Sequence, residues 1–169
     1  MSITIRSERP GEALAIERLT VEAFRAAPHS SGTESFIVQA LRDANRLSIS
    51  LVAEDDEGIV GHVALSPVSI SDGARNWFGL GPISVLPARQ GQGIGSQVMV
   101  HALAELRRRG AAGCVLLGDP GYYGRFGFKA EAALVLPGVP PQYFQALAFG
   151  SSMPSGTVAY DEAFNAPAP

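Results

Sequence analysis

The stretch PARQGQGIGSQVMVHALAELRRRG, residues 87–110, carries three glycines among its first nine residues and none again until Gly110. A helix end uses one glycine at most as a cap, and each glycine inside a helix costs about 1 kcal/mol relative to alanine. An apolar strand ends near Leu86 and a helix begins near Gly93, with Ile94, Val98, Met99, Ala102, Leu103 and Leu106 on one face until Gly110 stops it. Backbone N–H groups therefore converge at a helix N-terminus, where four donors lack internal partners and the dipole behaves like roughly half a positive charge. An N–H bonded to a charged oxygen contributes about 1.5–3 kcal/mol, so three or four of them on a pyrophosphate outweigh the ~3 kcal/mol cost of three glycines. Gly91, Gly93 and Gly95 read as the wall of a phosphate pocket that side chains would block. The alternative, a flexible turn, accounts for one glycine rather than three in alternation.

The flanking segments set the fold class. Ile3 and Ile5 alternate with polar residues as a short strand, and Leu14, Ile16, Leu19, Ala23 and Phe24 follow at helical spacing. APHSSGT, residues 27–33, reads as a loop, with Thr33 as the N-cap of a second helix that buries Phe36, Ile37, Ala40 and Leu41. Residues 47–70 are two β-rich runs broken at DDEG, the composition of a hairpin turn, and WFGLGPISVL at 77–86 is the next run. Three antiparallel strands thus precede the glycine stretch. After it, AGCVLLG (112–118) has the apolar run of a strand covered on both faces, and DPGYYGRF (119–126) suits a short helix started by Pro120. GFKAEAALV (127–135) reads as a strand, QYFQALAF (142–149) as a short helix and GTVAYDEAF (156–164) as a last strand. The expected architecture is one α+β domain over residues 1–164 with a mixed sheet, followed by a disordered proline-rich tail at 165–169.

Of the 169 residues 46% are apolar, enough for a sizeable core. A formal charge of -3 gives no global pull toward nucleic acid, and the basic run Arg107–Arg109 closes a helix where cations complement the dipole. Cys114 is the only cysteine, which rules out an intramolecular disulfide and makes it a buried strand residue rather than part of a metal cluster. The N-terminus lacks the pattern of a secretory signal, and no long uncharged apolar run follows. The expectation is a cytoplasmic protein with no membrane, nucleic-acid or metal partner.

A Walker loop is excluded because no GK[ST] follows the glycines. A dinucleotide fingerprint is formally close, since GQGIGS nearly fits GxGxxG/A and Asp119 lies about 20 residues on. Its context differs: antiparallel strands precede it, and too little chain follows the helix to complete a doubly wound sheet.

VLPARQGQGIGSQVM resembles the acyl-CoA-binding motif of the GNAT family of N-acetyltransferases, Gln/Arg-x-x-Gly-x-Gly/Ala, at Gln90, Gly93 and Gly95. YYGRFGF resembles the family's Tyr-x-x-x-Gly-Phe segment, with Tyr123 four residues before Gly127. Together with the later GTVAYDEAF it looks most like the YhbS-like branch. The resemblance implies α/β/α layers around a mixed, mostly antiparallel sheet whose fourth and fifth strands splay apart, here WFGLGPISVL and AGCVLLG. It implies acetyl-CoA as cosubstrate, with backbone groups of Ile83, Ser84 and Val85 on the pantetheine arm and acetyl carbonyl. The amides of Gly91, Gln92, Gly93, Ile94, Gly95 and Ser96 would hold the pyrophosphate.

The implied reaction moves the acetyl group directly to a primary amine of a small molecule or peptide. It needs a neutral amine, a polarised thioester carbonyl and a proton for the departing thiolate. An alkylamine has a pKa near 10.4, a thiol near 8.5 and a tyrosine near 10, so a tyrosine donates to the thiolate only slightly uphill. By its place in the motif Tyr123 is the candidate general acid, the alternative being a ring packed on an apolar face. Tyr122 reads as a structural residue or a pantetheine contact. Many relatives carry a glutamate on the fourth strand, and WFGLGPISV has none. The candidate base is then His62, whose alternative is a buried structural histidine. Glu34 either borders the acceptor site or partners a helix dipole, and Asp119 either contacts the cofactor or caps the next helix. The competing function is a sensor or interaction module that binds acyl-CoA without turnover: Tyr123 favours the enzyme and the missing glutamate favours the sensor. The resemblance is compatible with a monomer or homodimer.

Overall fold

The computed structural model describes residues 2–25 and 32–166. Most of the loop expected at 27–33, and residues 167–169 of the expected tail, lie outside the described residues. The chain forms two compact units that share two elements: strand β5 (Trp77–Val85), which changes unit at Gly81, and helix α3 (Ile94–Arg108), which changes unit at Leu103.

The first unit, residues 1–65, 81–102 and 162–169, is built on an antiparallel meander of β1 (Thr4–Ser7), β2 (Ile49–Asp55) and most of β3 (Gly58–Pro67). β2 and β3 form the hairpin expected around DDEG, with the Glu57 N–H closing on Asp55 Oδ1 at 2.8 Å. Helices α1 (Ala13–Phe24) and α2 (Glu34–Asp43) cover one face of it. Ile16, Val38, Val52 and Ala64 form one cluster there, and Ile37, Leu41 and Ala163 another. Removing each of the larger of these side chains from water contributes about 1.5–3 kcal/mol. Two local readings need correction. Leu14 is 54% exposed, because the buried stripe of α1 is Ile16, Leu19 and Thr20. Thr33 precedes α2 as expected, yet its side chain makes no capping hydrogen bond.

The second unit, residues 66–80 and 103–161, contains β4 (Ser69–Ile70), the first half of β5, β6 (Gly113–Leu117), α4 (Pro120–Tyr123), β7 (Lys129–Ala130), β8 (Leu134–Val135), β9 (Phe144–Ala148) and β10 (Gly156–Ala159). Trp77, Val115, Phe144, Ala146 and Val158 share its core. GFKAEAALV is split between β7 and β8, which belong to different sheets. QYFQALAF is not the expected helix: β9 pairs antiparallel with β6 from Gly113↔Ala148 to Leu117↔Phe144, and its alternating side chains bury Phe144 and Ala146 in the core. Eight residues are too few for periodicity to choose, and the long-range ladder chooses strand.

The larger sheet runs β1-β2-β3-β5-β6-β9-β7 and is mixed, mostly antiparallel, as expected; a three-stranded sheet, β4-β10-β8, accompanies it. In the larger sheet β5 and β6 pair parallel, with a ladder confined to Trp77–Gly79 against Gly113–Val115, and in the smaller sheet β8 and β10 pair parallel. Glu162–Asn165 forms a 3-10 turn. No helix among the described residues is long and apolar enough to cross a membrane.

Candidate active site

In the first unit, β5 ends at Val85, a 3-10 turn covers Pro87–Arg89, and α3 begins at Ile94. Gly91 and Gly93 have φ of 78° and 81°, a region L side chains rarely adopt. A β-carbon built on either meets no heavy atom within 4 Å, so the turn borders open space. The Gln97 N–H bonds to Gly93 O at 3.1 Å, and the amides of Ile94 and Gly95 precede it at the helix start, where intrahelical acceptors run out. Ile94 itself is 1% exposed and packs where a Gly61 side chain would sit, pinning the helix start to β3.

Side chains stiffen this turn. Gln90 Nε2 donates to Val85 O at 3.1 Å, tying the turn back to the strand it leaves. Arg89 donates to Gln92 Oε1 at 3.1 Å and, through Nη1, to Asp55 Oδ2 at the tip of the β2–β3 hairpin. The Arg89 guanidinium and the Glu57 N–H hold the Asp55 carboxyl below the usual range. Sequence reasoning missed the Arg89–Asp55 pair, which spans 34 positions and leaves no local signal. On β5, Ile83 and Val85 are half-buried, while Ser84 is 3% exposed and its Oγ has no hydrogen-bond partner.

His62 lies on β3 with no exposed surface. Its Nε2 is 2.8 Å from Ser50 Oγ, which is 2.5 Å from Glu8 Oε1. Arg42 clamps the same carboxylate at 3.0 and 2.9 Å. Ser50 has one proton to give and an ionised carboxylate can only accept, so Ser50 donates to Glu8 and accepts from His62. The ring proton is therefore on Nε2, and Nδ1 is a bare acceptor without a partner. Burial pushes the imidazole down to about 4, against the pull of Glu8. Burial also raises the Glu8 carboxyl, but Arg42 and Ser50 more than offset that and leave it below its ordinary value. Glu34 opens α2 and is half-buried.

In the second unit, β6 delivers Gly118 and Asp119 to the start of α4. Asp119 is the N-cap, accepting from the Gly121 N–H at 3.0 Å, and Pro120 follows at the first helical position. One turn later Tyr123 folds back, with its ring in the place of a side chain on Gly118. It meets Tyr122 edge-on at 4.9 Å and Phe128 at 6.5 Å. Burial, helped by Tyr122 and Asp119, pushes the Tyr123 phenol up to about 12, so it holds its proton at neutral pH. The expected site residues thus fall in two groups: Glu34, His62, Ile83–Val85 and Gln90–Ser96 in the first unit, and Asp119, Tyr122 and Tyr123 in the second. No group of three metal-ligating side chains occurs among the described residues.

A family model described as an acetyltransferase (GNAT) domain matches residues 46–130. An uncharacterized N-acetyltransferase of Escherichia coli K12, YhbS, is 39% identical over 129 residues, covering 76% of this chain and 74% of that protein. The chain belongs to the GNAT acetyltransferase family. A solved GNAT family acetyltransferase from Brucella melitensis, in complex with acetyl-CoA, is similar with a TM-score of 0.86 and 53% identity, covering 96% of this chain and 98% of that one. The crystal structure of Escherichia coli YhbS in complex with CoA gives a TM-score of 0.88 at 36% identity, covering 96% and 92%. The mixed sheet and its short β5–β6 ladder are thus the GNAT fold that the glycine and tyrosine motifs implied.

Proposed function

We propose that this GNAT protein moves the acetyl group of acetyl-CoA directly to the primary amine of a small molecule or peptide, with Tyr123 as general acid. Acetyl-CoA supplies the thioester, whose acyl carbon bonds to the amine nitrogen as the C–S bond breaks and the sulfur takes a proton. The observation that carries the reading is the open turn at Gly91 and Gly93, with both β-carbon positions clear and a fifteen-residue helix behind it. Amides from Gly91 to Ser96 would hold the pyrophosphate, with Gln90 bracing the turn. The backbone of Ile83, Ser84 and Val85 would hold the pantetheine arm and polarise the acetyl carbonyl, with Asp119 and Tyr122 as further contacts.

Tyr123 supplies the proton from its hydroxyl. A phenol pushed up to about 12 suits an acid rather than a base. The dry surroundings that raise it also raise the pKa of a departing thiolate, which keeps the two in range of one another. The burial of His62 supports a part as the inner end of a relay rather than a base that meets the amine from solvent. A proton taken at Nδ1 would release the Nε2 proton to Ser50 Oγ and the Ser50 proton to Glu8. Once the C–N bond has formed the nitrogen is strongly acidic, so a weak base suffices. Glu34 is assigned to the acceptor side.

The test is a thiol-release screen with acetyl-CoA across amino acids, polyamines, aminoglycosides and peptide N-termini. Release with one acceptor class supports the enzyme and names its substrate. Tight acetyl-CoA binding with no release for any acceptor supports a non-catalytic acyl-CoA-binding module instead.

A further inference from the structure

Gln145 is 1% exposed and is the second residue of β9, between Phe144 and Ala146, which serve the apolar core. The strand alternation turns Gln145 to the opposite face, level with Leu116 of β6 and Ala130 of β7. A carboxamide is an unfavourable choice for a dry position unless its polar atoms are used. Its Nε2 donates to Gly118 O at 3.0 Å, which fixes the orientation of the amide because a carbonyl only accepts. Its Oε1 has no hydrogen-bond partner.

Backbone accounting explains why Gly118 O needs that donor. The β6–β9 ladder ends at Leu117↔Phe144, and the Gly118 N–H still reaches Tyr143 O at 3.0 Å. The reciprocal donor, Tyr143 N–H, is turned onto Pro140 O at 3.1 Å by the 3-10 turn that precedes β9. Gln145 thus replaces a missing main-chain bond at Gly118, against which the Tyr123 ring packs. From Gly118 the chain passes through the Asp119 cap and one helical turn to Tyr123, whose ring returns to Gly118. Orientation of the Gly118 peptide and position of the phenol are linked over six residues.

We propose that Gln145 is a positioning residue for Tyr123, acting through the Gly118 carbonyl. The proposal rests on the reading of Tyr123 as general acid, and its test separates the two. In Gln145→Met the donor is lost and the orphaned oxygen goes with it. The expected result is a folded protein whose kcat is reduced by about fivefold or more, with KM for acetyl-CoA within about twofold. In Gln145→Glu the protonated carboxyl can donate to Gly118 O and the ionised one cannot, so activity is retained at low pH and lost as the carboxyl ionises, a pH limb the wild type lacks. In protein labelled with 13C-tyrosine, the Tyr123 ring signals move in Gln145→Met. That readout needs no activity, so it stands even where the wild type releases no thiol and the enzymatic reading fails. Unmoved Tyr123 signals, a wild-type kcat in Gln145→Met, or a raised KM for acetyl-CoA with kcat unchanged would each overturn the proposal. If Gln145→Met does not fold, Gln145→Glu decides by the presence or absence of the new pH limb.

Discussion

The ring of Tyr123 occupies the volume of the side chain that Gly118 lacks, so a β-carbon there would fall inside contact distance of three ring carbons. The six-residue link between the end of β6 and the proposed acid is therefore closed by a ring on a glycine. Gly118→Ala is expected to displace the phenol, lowering kcat by about tenfold or more while leaving acetyl-CoA affinity nearly unchanged. Steady-state thiol release beside calorimetric titration checks it, and unaltered kcat would remove the packing from the argument.

Tyr123→Phe keeps the ring and deletes the proton. Acetyl-CoA should bind as in the wild type, and turnover should fall by about tenfold or more. Because burial pushes the phenol up to about 12, the acid form persists through the alkaline range. The wild-type rate should then show no decline from this group below about pH 10. A descending limb near pH 8 that Tyr123→Phe abolishes would assign an ordinary or depressed phenol instead.

Gly93→Val asks a β-branched residue to adopt φ of 81° and places methyl groups in the space beside the helix start. Coenzyme A affinity should drop by about tenfold or more, beyond any shift of the melting temperature. Calorimetry giving the wild-type dissociation constant would contradict the phosphate turn.

Arg89 holds the Gln92 side chain and, through Asp55, tethers the turn to the hairpin. Arg89→Ala and Asp55→Asn should each weaken coenzyme A binding by about threefold or more, and the double variant should be little worse than either alone. Strict additivity in that cycle would mean the pair does not act as a unit.

His62 gives the protein an acid-side stability slope. The unfolded imidazole binds a proton near pH 6.5, while the buried ring, beside Glu8, Arg42 and Ser50, does so only at about 4. Between these values the unfolded state holds the extra proton, so stability falls as pH drops through that window, by about 3 kcal/mol in total. The contribution is fully present above pH 6.5. Urea melts from pH 7.5 to 4 should show this slope, reduced in His62→Gln; equal slopes in the two proteins would place the titration elsewhere.

Local sequence determined the parts whose physics is local. The glycine turn and α3 were legible because backbone conformation, helix ends and a 3.6-residue apolar stripe act within a few positions. The hairpin at Asp55–Gly58, the strand of Cys114 and the Pro120 helix start were legible for the same reason. Tertiary structure alone decided what depends on partners far along the chain. β9 is a strand because β6 offers it a ladder, and Leu14 is exposed because the meander takes the other stripe of α1. Arg89 reaches Asp55, His62 loses all contact with water, and Gln145 answers a carbonyl 27 positions away, each through proximity that no short window of sequence encodes.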